Sequence, residues 1–210
     1  MFDEISSRYD FLNNIISFGV HKFIKKIAVS SIGIQDGDKI LDLCTGSGDI
    51  TGIIKKKYPK CQIFGLDFSS KMLEIASKKY PDVIYTKCDA SKMPYKQDSF
   101  DFVISSFGFR NIEKKEETLF EIKRILKNGG KFLHIDFGKS LFSPIYNLYV
   151  LFMARIFSKH FYAYKYLINS KENFLSPEEF CEMCKKAGFK PLIVKNLLFN
   201  IISYQIVEKN

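Results

Sequence analysis

No apolar run in this 210-residue chain reaches the roughly 18–20 residues that a helical membrane span requires, so no such span is expected. Cysteine is scarce: Cys44, Cys61, Cys88, Cys181 and Cys184 make an odd count at wide spacing, which argues against a disulfide framework. Cys181 and Cys184 have metal-ligand spacing but stand in a helical pattern with no second pair, so no metal site is expected. The other three lie in or beside apolar strand-like runs, where a thiol behaves as a small hydrophobe. There is no internal repeat and no low-complexity linker. The opening Met1-Phe2-Asp3-Glu4 is acidic with no apolar stretch behind it, so a secretory signal is not expected and a cytoplasmic location is. No long basic tract stands alone, although the net charge is +9; the lysines are scattered as on a solvated surface. A basic balance favours an anionic partner, either nucleic acid or the anionic face of a membrane.

What is present is an ordinary globular composition, 46% hydrophobic and 26% charged. The length suits one domain over residues 1–210. Residues 1–36 are read as an N-terminal helical cap, with 2–32 helical: Ile5, Tyr9, Leu12, Ile15 and Ile16 recur at helical spacing, and Phe23, Ile24 and Ile27 resume it after Gly19. A turn at 33–37 follows. The chain then alternates: strands at 39–44, 62–66, 83–87, 100–106 and 131–137, helices at 50–57, 70–79 and about 114–127. The last of these helices is expected to stop at a left-handed cap on Asn128-Gly129-Gly130. Alternation of this kind predicts a parallel sheet covered on both faces. Residues 141–168 break the pattern. They are helical and densely aromatic, with Arg155, Lys159, His160 and Lys165 interleaved, and lie in a 138–175 insertion read as a lid. Ser176-Pro177-Glu178-Glu179 opens a further helix with a capping box, Gly188 ends it, and strands at 189–194 and 201–207 close the chain.

The most informative segment is Asp42-Leu43-Cys44-Thr45-Gly46-Ser47-Gly48-Asp49, at a strand-to-helix turn. Glycines there let backbone approach a ligand closely, and at the end of a first strand that ligand is usually a nucleotide. A dinucleotide fingerprint would carry a third glycine where Thr51 stands, and Asp49 would repel a pyrophosphate. A sulfonium-bearing nucleoside is served by the same acidic residues. Asp67, ending the second strand, suits a ribose diol; Asp89-Ala90, after the third, would lie beside a base; Ser106 ends the fourth.

These residues resemble the first motif of class I S-adenosylmethionine-dependent methyltransferases. The resemblance narrows with Arg8-Tyr9-Asp10-Phe11-Leu12-Asn13-Asn14, Ser17-Phe18-Gly19-Val20-His21, Gly65-Leu66-Asp67-Phe68-Ser69 and, most specific, Phe107-Gly108-Phe109-Arg110-Asn111-Ile112. Together they look like the C-methyltransferases of menaquinone and ubiquinone biosynthesis, over nearly the whole chain. Departures are Phe23 where the family often has Trp (this chain has none), Asp89 where Asn is usual, and Asp136 and Gly138 where Glu and Ser are usual.

The resemblance implies a Rossmann-like α/β fold, a seven-stranded, mostly parallel sheet with the last strand antiparallel and a helical lid. It implies S-adenosylmethionine bound by Asp42, Gly46, Ser47, Gly48, Asp67, Asp89, Ala90 and Ser106. The substrate implied is a polyprenylated quinol, with demethylmenaquinol giving menaquinol; a ubiquinone-pathway benzoquinol and a soluble metabolite are the alternatives. Arg110 would stabilise a developing phenolate, unless it merely pairs with Glu113 or Glu116 nearby. Asn111 would orient the ring, and Asp10 or His21, or a water they hold, would take the proton. Tyr9, Phe107 and Tyr149 would contact the substrate. Peripheral association with the inner face of the membrane is expected, a homodimer is compatible with the sequence, and nucleic acid is not an expected partner. A nicotinamide-dependent oxidoreductase and a basic RNA-binding module are the rival classes, the first opposed by the missing third glycine.

Overall fold

A computed structural model describes residues 19–157 and 161–210. Asp10 and Tyr9, and the first part of the helical cap, lie outside the described residues. The elements are α1 (Val20–Ser31), β1 (Lys39–Leu43), α2 (Asp49–Lys57), β2 (Gln62–Asp67), α3 (Ser70–Lys79), β3 (Ile84–Lys87), β4 (Phe100–Ser106), α4 (Lys115–Ile125), β5 (Leu126–Phe137), α5 (Ser143–Phe157), α6 (Phe161–Glu172), α7 (Pro177–Lys186), β6 (Phe189–Leu197) and β7 (Ile202–Lys209).

The seven strands form one sheet in the order β3-β2-β1-β4-β5-β7-β6. The pairs from β3 to β5 are parallel, and β7 runs antiparallel to both β5 and β6. Period-2 alternation sends neighbouring residues to opposite cores. Leu41, Leu43, Val103, Phe132 and Val207 pack with Leu119 and Ile122 of α4 and Phe180 of α7. Ile40, Ile104, Leu133, Ile135 and Ile206 pack with Ile24, Ala28 and Val29 of α1 and Ile50 and Ile54 of α2. The order reverses between β1 and β4, since the chain leaves β3 at one edge and re-enters beside β1. That reversal opens a crevice at the carboxyl ends of β1 and β4, the usual binding place in an open α/β sheet.

One expectation is corrected. The Gly129–Gly130 pair does not cap α4: that helix ends at Ile125, and β5 already begins at Leu126. Leu126 is fully buried and pairs with Phe100, and Gly129 takes its left-handed φ of 73° within a register shift of the strand. Core burial of Leu126 outweighs the glycine stop signal. The aromatic stretch over 141–168 is helical as expected: two helices, α5 and α6, joined through a small shared core of Val150, Ala154 and Tyr164. The expected Ser176 capping box on α7 is present in full. Among the described residues no helix is long and apolar enough to cross a membrane.

Candidate active site

Two turns define the crevice. After β1, Cys44 takes a left-handed φ of 58°, and after β4 Phe107 does the same at 57°. The two turns touch so closely that a Cβ on Gly108 would overlap Cys44 Cβ, so only glycine fits there.

The first turn is shaped by Asp42. Its carboxylate is buried and lines neither cavity of the crevice; Oδ2 accepts from Thr45 Oγ1 (2.7 Å), Thr51 Oγ1 (2.7 Å) and the Thr51 amide (3.0 Å). Burial pushes its pKa up to about 6, the threonine donors pulling the other way. Asp42, expected at the cofactor, thus fastens the loop from below, and Thr51, noted in sequence only as a missing glycine, is one of its fasteners.

The loop that results lies between two cavities that share Cys44, Gly46, Ser106 and Phe107. The larger, about 400 Å³, has Asp67, Asp89, Ala90, Met72, Asn111 and Ile112 on its walls. Asp67 Oδ2 accepts from the Gly46 amide at 2.9 Å and Oδ1 from Ser69 N at 2.9 Å. Asp89 Oδ1 accepts from Ser91 N at 2.8 Å, which holds its carboxyl below the usual range. Ser106 Oγ is buried where the cavities meet and has no hydrogen-bond partner among the described residues.

The smaller cavity, about 100 Å³, is walled by His21, Lys25, Asp49, Arg110, Phe137, Tyr146 and Tyr164, among others. Arg110 meets neither Glu113 nor Glu116. Its Nη1 donates to Asp136 Oδ1 (2.9 Å) and to the Phe107 carbonyl (2.5 Å), Nε to Ser170 Oγ (3.3 Å), and the guanidinium lies 5.2 Å from the centre of the Phe137 ring. Asp136 is fully buried. Burial opposes its charge, but the Arg110 guanidinium and, behind it, His134 hold its carboxyl below the usual range. Burial pushes the Tyr146 hydroxyl up to about 12, so it stays protonated. His21 Nε2 lies 3.8 Å from Asp49 Oδ2.

The structure therefore brings Gly46, Ser47, Asp67, Asp89, Ala90, Ser106, Phe107, Arg110, Asn111 and His21 to the crevice walls. Gly48 stands just behind, with φ 87° where α2 begins. Tyr149 lines neither cavity; it packs against the Val150–Ala154–Tyr164 cluster between α5 and α6, and Tyr146 and Tyr164 supply the aromatic wall instead. Lys25 and Phe137, which sequence reasoning did not mark as site residues, also line the smaller cavity, and Asp136, noted in sequence only as a departure from the family's usual Glu, stands behind the wall holding Arg110.

The sequence profile of the ubiE/COQ5 methyltransferase family matches residues 1–209. This chain belongs to that family. Among its relatives, demethylmenaquinone methyltransferase of Thermotoga maritima is 40% identical over 198 residues, 90% of this chain and 86% of that protein. The ubiquinone/menaquinone biosynthesis C-methyltransferase of Wigglesworthia glossinidia brevipalpis is 38% identical over 86% of this chain and 82% of its own length. A solved S-adenosylmethionine-dependent methyltransferase from Aquifex aeolicus superposes with a TM-score of 0.69 at 17% identity, covering 91% of this chain and 93% of that one. It shares the fold.

The methyl donor of this family member is S-adenosylmethionine. The walls fit it. Two carboxylates at successive strand ends can accept from a ribose diol and a base, the Ser106 hydroxyl is buried with its hydrogen bond unmade, and Asp49 at the head of α2 disfavours a pyrophosphate. When bound, the group supplies a methyl on a positively charged sulfur.

Proposed function

We propose that this methyltransferase C-methylates a polyprenylated quinol, converting demethylmenaquinol to menaquinol. One observation carries the reading: the cavity suited to the cofactor shares the wall residues Ser106 and Phe107 with a second cavity whose walls combine a fixed guanidinium with the rings of Phe107, Phe137, Tyr146 and Tyr164. The naming of the relatives supports the substrate. A quinol ring carbon becomes nucleophilic when the neighbouring hydroxyl loses its proton. Arg110 carries a permanent guanidinium charge and, with Nη1 and Nε committed, has Nη2 without a partner among the described residues and so open to the developing phenolate oxygen. Asn111, whose Oδ1 accepts from Tyr166 at 3.3 Å, orients the ring. His21, or Asp10, takes the hydroxyl proton directly or through a water. The ring carbon takes the methyl from sulfur; the hydrogen on that carbon is then lost as a proton while the oxygen is reprotonated, so the aromatic quinol is restored with one proton released overall. Holding the reacting carbon in line with the methyl contributes up to roughly 7–11 kcal/mol. The test is the quinone profile of cells lacking this protein. Accumulation of the ring-demethylated naphthoquinone is expected; an unchanged profile would overturn the assignment, and a demethylated benzoquinone would move it to the ubiquinone pathway.

Peripheral membrane association is part of the same proposal. Ile145, Leu148, Phe152 and Ile156 lie on one stripe of α5 and are 68, 71, 62 and 55% exposed, and Leu141 and Phe199 flank them. Residues 138–171 contain no Asp or Glu, while Lys139, Arg155 and Lys165 are exposed there. An apolar stripe flanked by cations suits an anionic leaflet, at about 1 kcal/mol per basic residue near it. Flotation with anionic liposomes is expected to exceed that with neutral ones and to fall with salt and with Leu148→Glu/Phe152→Glu. Equal flotation in all cases would refute it. A concentration-dependent dimer split by the same substitutions would assign the stripe to a second copy of the chain.

A further inference from the structure

Phe109, one residue before Arg110, belongs to a cluster of phenylalanine rings with Phe132, Phe174 and Phe180. The ring that β5 places among all four is His134, 2% exposed. It stacks on Phe180 of α7 with the ring centres 3.9 Å apart. Another phenylalanine there would bury no polar group, whereas a buried imidazole is costly unless its nitrogens are used.

The antiparallel register of β5 and β7 sets His134 opposite Gln205 and Asp136 opposite Ser203, and all four are buried. His134 Nδ1 lies 2.7 Å from the end of the Gln205 amide, and the amide's other end lies 2.9 Å from Ser203 Oγ. An amide can present its oxygen or its nitrogen, so Nδ1 does not decide where the ring proton sits. The other nitrogen does. His134 Nε2 and Asp136 Oδ2 are 3.8 Å apart, both buried and neither with a hydrogen-bond partner among the described residues. Two bare acceptors facing each other in a dry core repel; a proton on Nε2 makes the contact attractive, although it is too long for a hydrogen bond. Asp136 Oδ1 is already taken by Arg110 Nη1 at 2.9 Å and the Phe137 amide at 2.8 Å. His134 therefore addresses the carboxylate oxygen that Arg110 leaves open.

We propose that His134 is a positioning residue for the methyl transfer: protonated at Nε2, it fixes Asp136 and thereby the direction in which Arg110 points at the aromatic cavity. The role rests on the reading that Arg110 meets the developing phenolate. It accounts for a polar ring in a phenylalanine cluster, and it extends the support of the guanidinium through Gln205 and Ser203 to β7.

Nitrogen-15 NMR of the wild type reads the ring directly, with His134→Gln identifying its signals among the three histidines. A proton on Nε2 is expected; a ring protonated at Nδ1 alone would overturn the proposal without any use of activity. Kinetics with demethylmenaquinol form the second arm. His134→Phe keeps the aromatic packing and is expected to lower kcat roughly tenfold, with KM and S-adenosylhomocysteine affinity within about twofold of wild type. His134→Gln, whose amide can donate toward Oδ2, is expected to recover kcat to within about threefold of wild type. In the double variant Arg110→Met/Asp136→Asn, which removes both charges, His134→Phe should cost no further kcat, because what it supports is gone. Unchanged kcat in His134→Phe, or an equal loss with and without Arg110 and Asp136, would overturn the proposal, since His134 would then be core packing only. Full turnover in Arg110→Met/Asp136→Asn would instead remove the role of Arg110 on which the positioning rests, and would leave the NMR result standing.

Discussion

The turns after β1 and after β4 begin alike, each with a non-glycine residue in the left-handed region and each served by a buried carboxylate. They differ in what those carboxylates meet. Asp42 is surrounded by neutral donors, the two threonine hydroxyls and an amide, and its pKa rises to about 6. Asp136 faces a guanidinium and is held below the usual range. The first arrangement shapes a loop without adding a fixed charge pair to the cofactor side. The second places a permanent cation at the wall of the aromatic cavity, which is where the proposed chemistry develops negative charge. Similar backbone at the two strand ends thus serves two electrostatic tasks.

The sharpest way to break this comparison is to remove Arg110. If the guanidinium both locks the second turn and acts on the substrate, Arg110→Ala strands a fully buried Asp136 and destabilises the fold by about 3–5 kcal/mol. Turnover falls by about 100-fold or more. Arg110→Met/Asp136→Asn removes both charges and is expected to recover most of the melting temperature without recovering turnover. If the double variant regained turnover along with stability, the guanidinium would be structural only.

The two carboxylates should also respond to pH with opposite sign. Asp42 binds its proton more tightly folded than unfolded, so its contribution is most favourable below the unfolded pKa of 3.8 and is lost as pH rises through about 6. Asp136 has a depressed folded pKa, so its contribution is present above 3.8 and is lost as pH falls through the lower folded value. Urea denaturation between pH 4 and 7 should therefore show Asp42→Asn improving relative to wild type as pH rises, by on the order of 3 kcal/mol. Asp136→Asn should show its deficit shrinking on acidification below pH 4. Parallel curves for wild type and Asp42→Asn would mean that Asp42 titrates normally and that its threonine cage does not exclude water.

Legibility in the sequence divides along the same line. The cofactor side was readable because its residues are local: Gly46, Gly48, Asp67 and Asp89 fall at successive strand ends, and alternation of strand and helix places those ends together. The count of seven strands and the antiparallel β7 came from family resemblance, not from spacing, and the strand order is read from the fold itself. The aromatic side was less readable because its contacts are distant in sequence. Arg110 and Asp136 are 26 residues apart and Lys25 and Asp49 are 24 apart, and each pair joins two elements with no common motif. Nearby Glu113 and Glu116 were plausible partners for Arg110 by distance along the chain. The turn at Phe109–Asn111 sends the guanidinium to β5 instead. Thr51 shows a further limit: its importance lies in a hydroxyl beneath the loop, which only the folded position of Asp42 reveals.

The smallest expected effect concerns Ser106, where the two sides meet. Its hydroxyl is buried and has no hydrogen-bond partner among the described residues, as is also true of Ser105 one residue earlier. Only Ser106 lines the cavities. An unpaired buried hydroxyl costs about 1–3 kcal/mol, so removing either one is expected to stabilise the ligand-free protein slightly. Their effects on binding should differ. If Ser106 Oγ is completed by the cofactor, Ser106→Ala raises the melting temperature of the free protein and weakens S-adenosylhomocysteine binding about three- to tenfold, opposite signs from one atom. Ser105→Ala should raise the melting temperature and leave affinity unchanged. Equal affinities for wild type and Ser106→Ala would show that the hydroxyl is not part of the cofactor site, and that the shared wall of the two cavities is steric rather than polar.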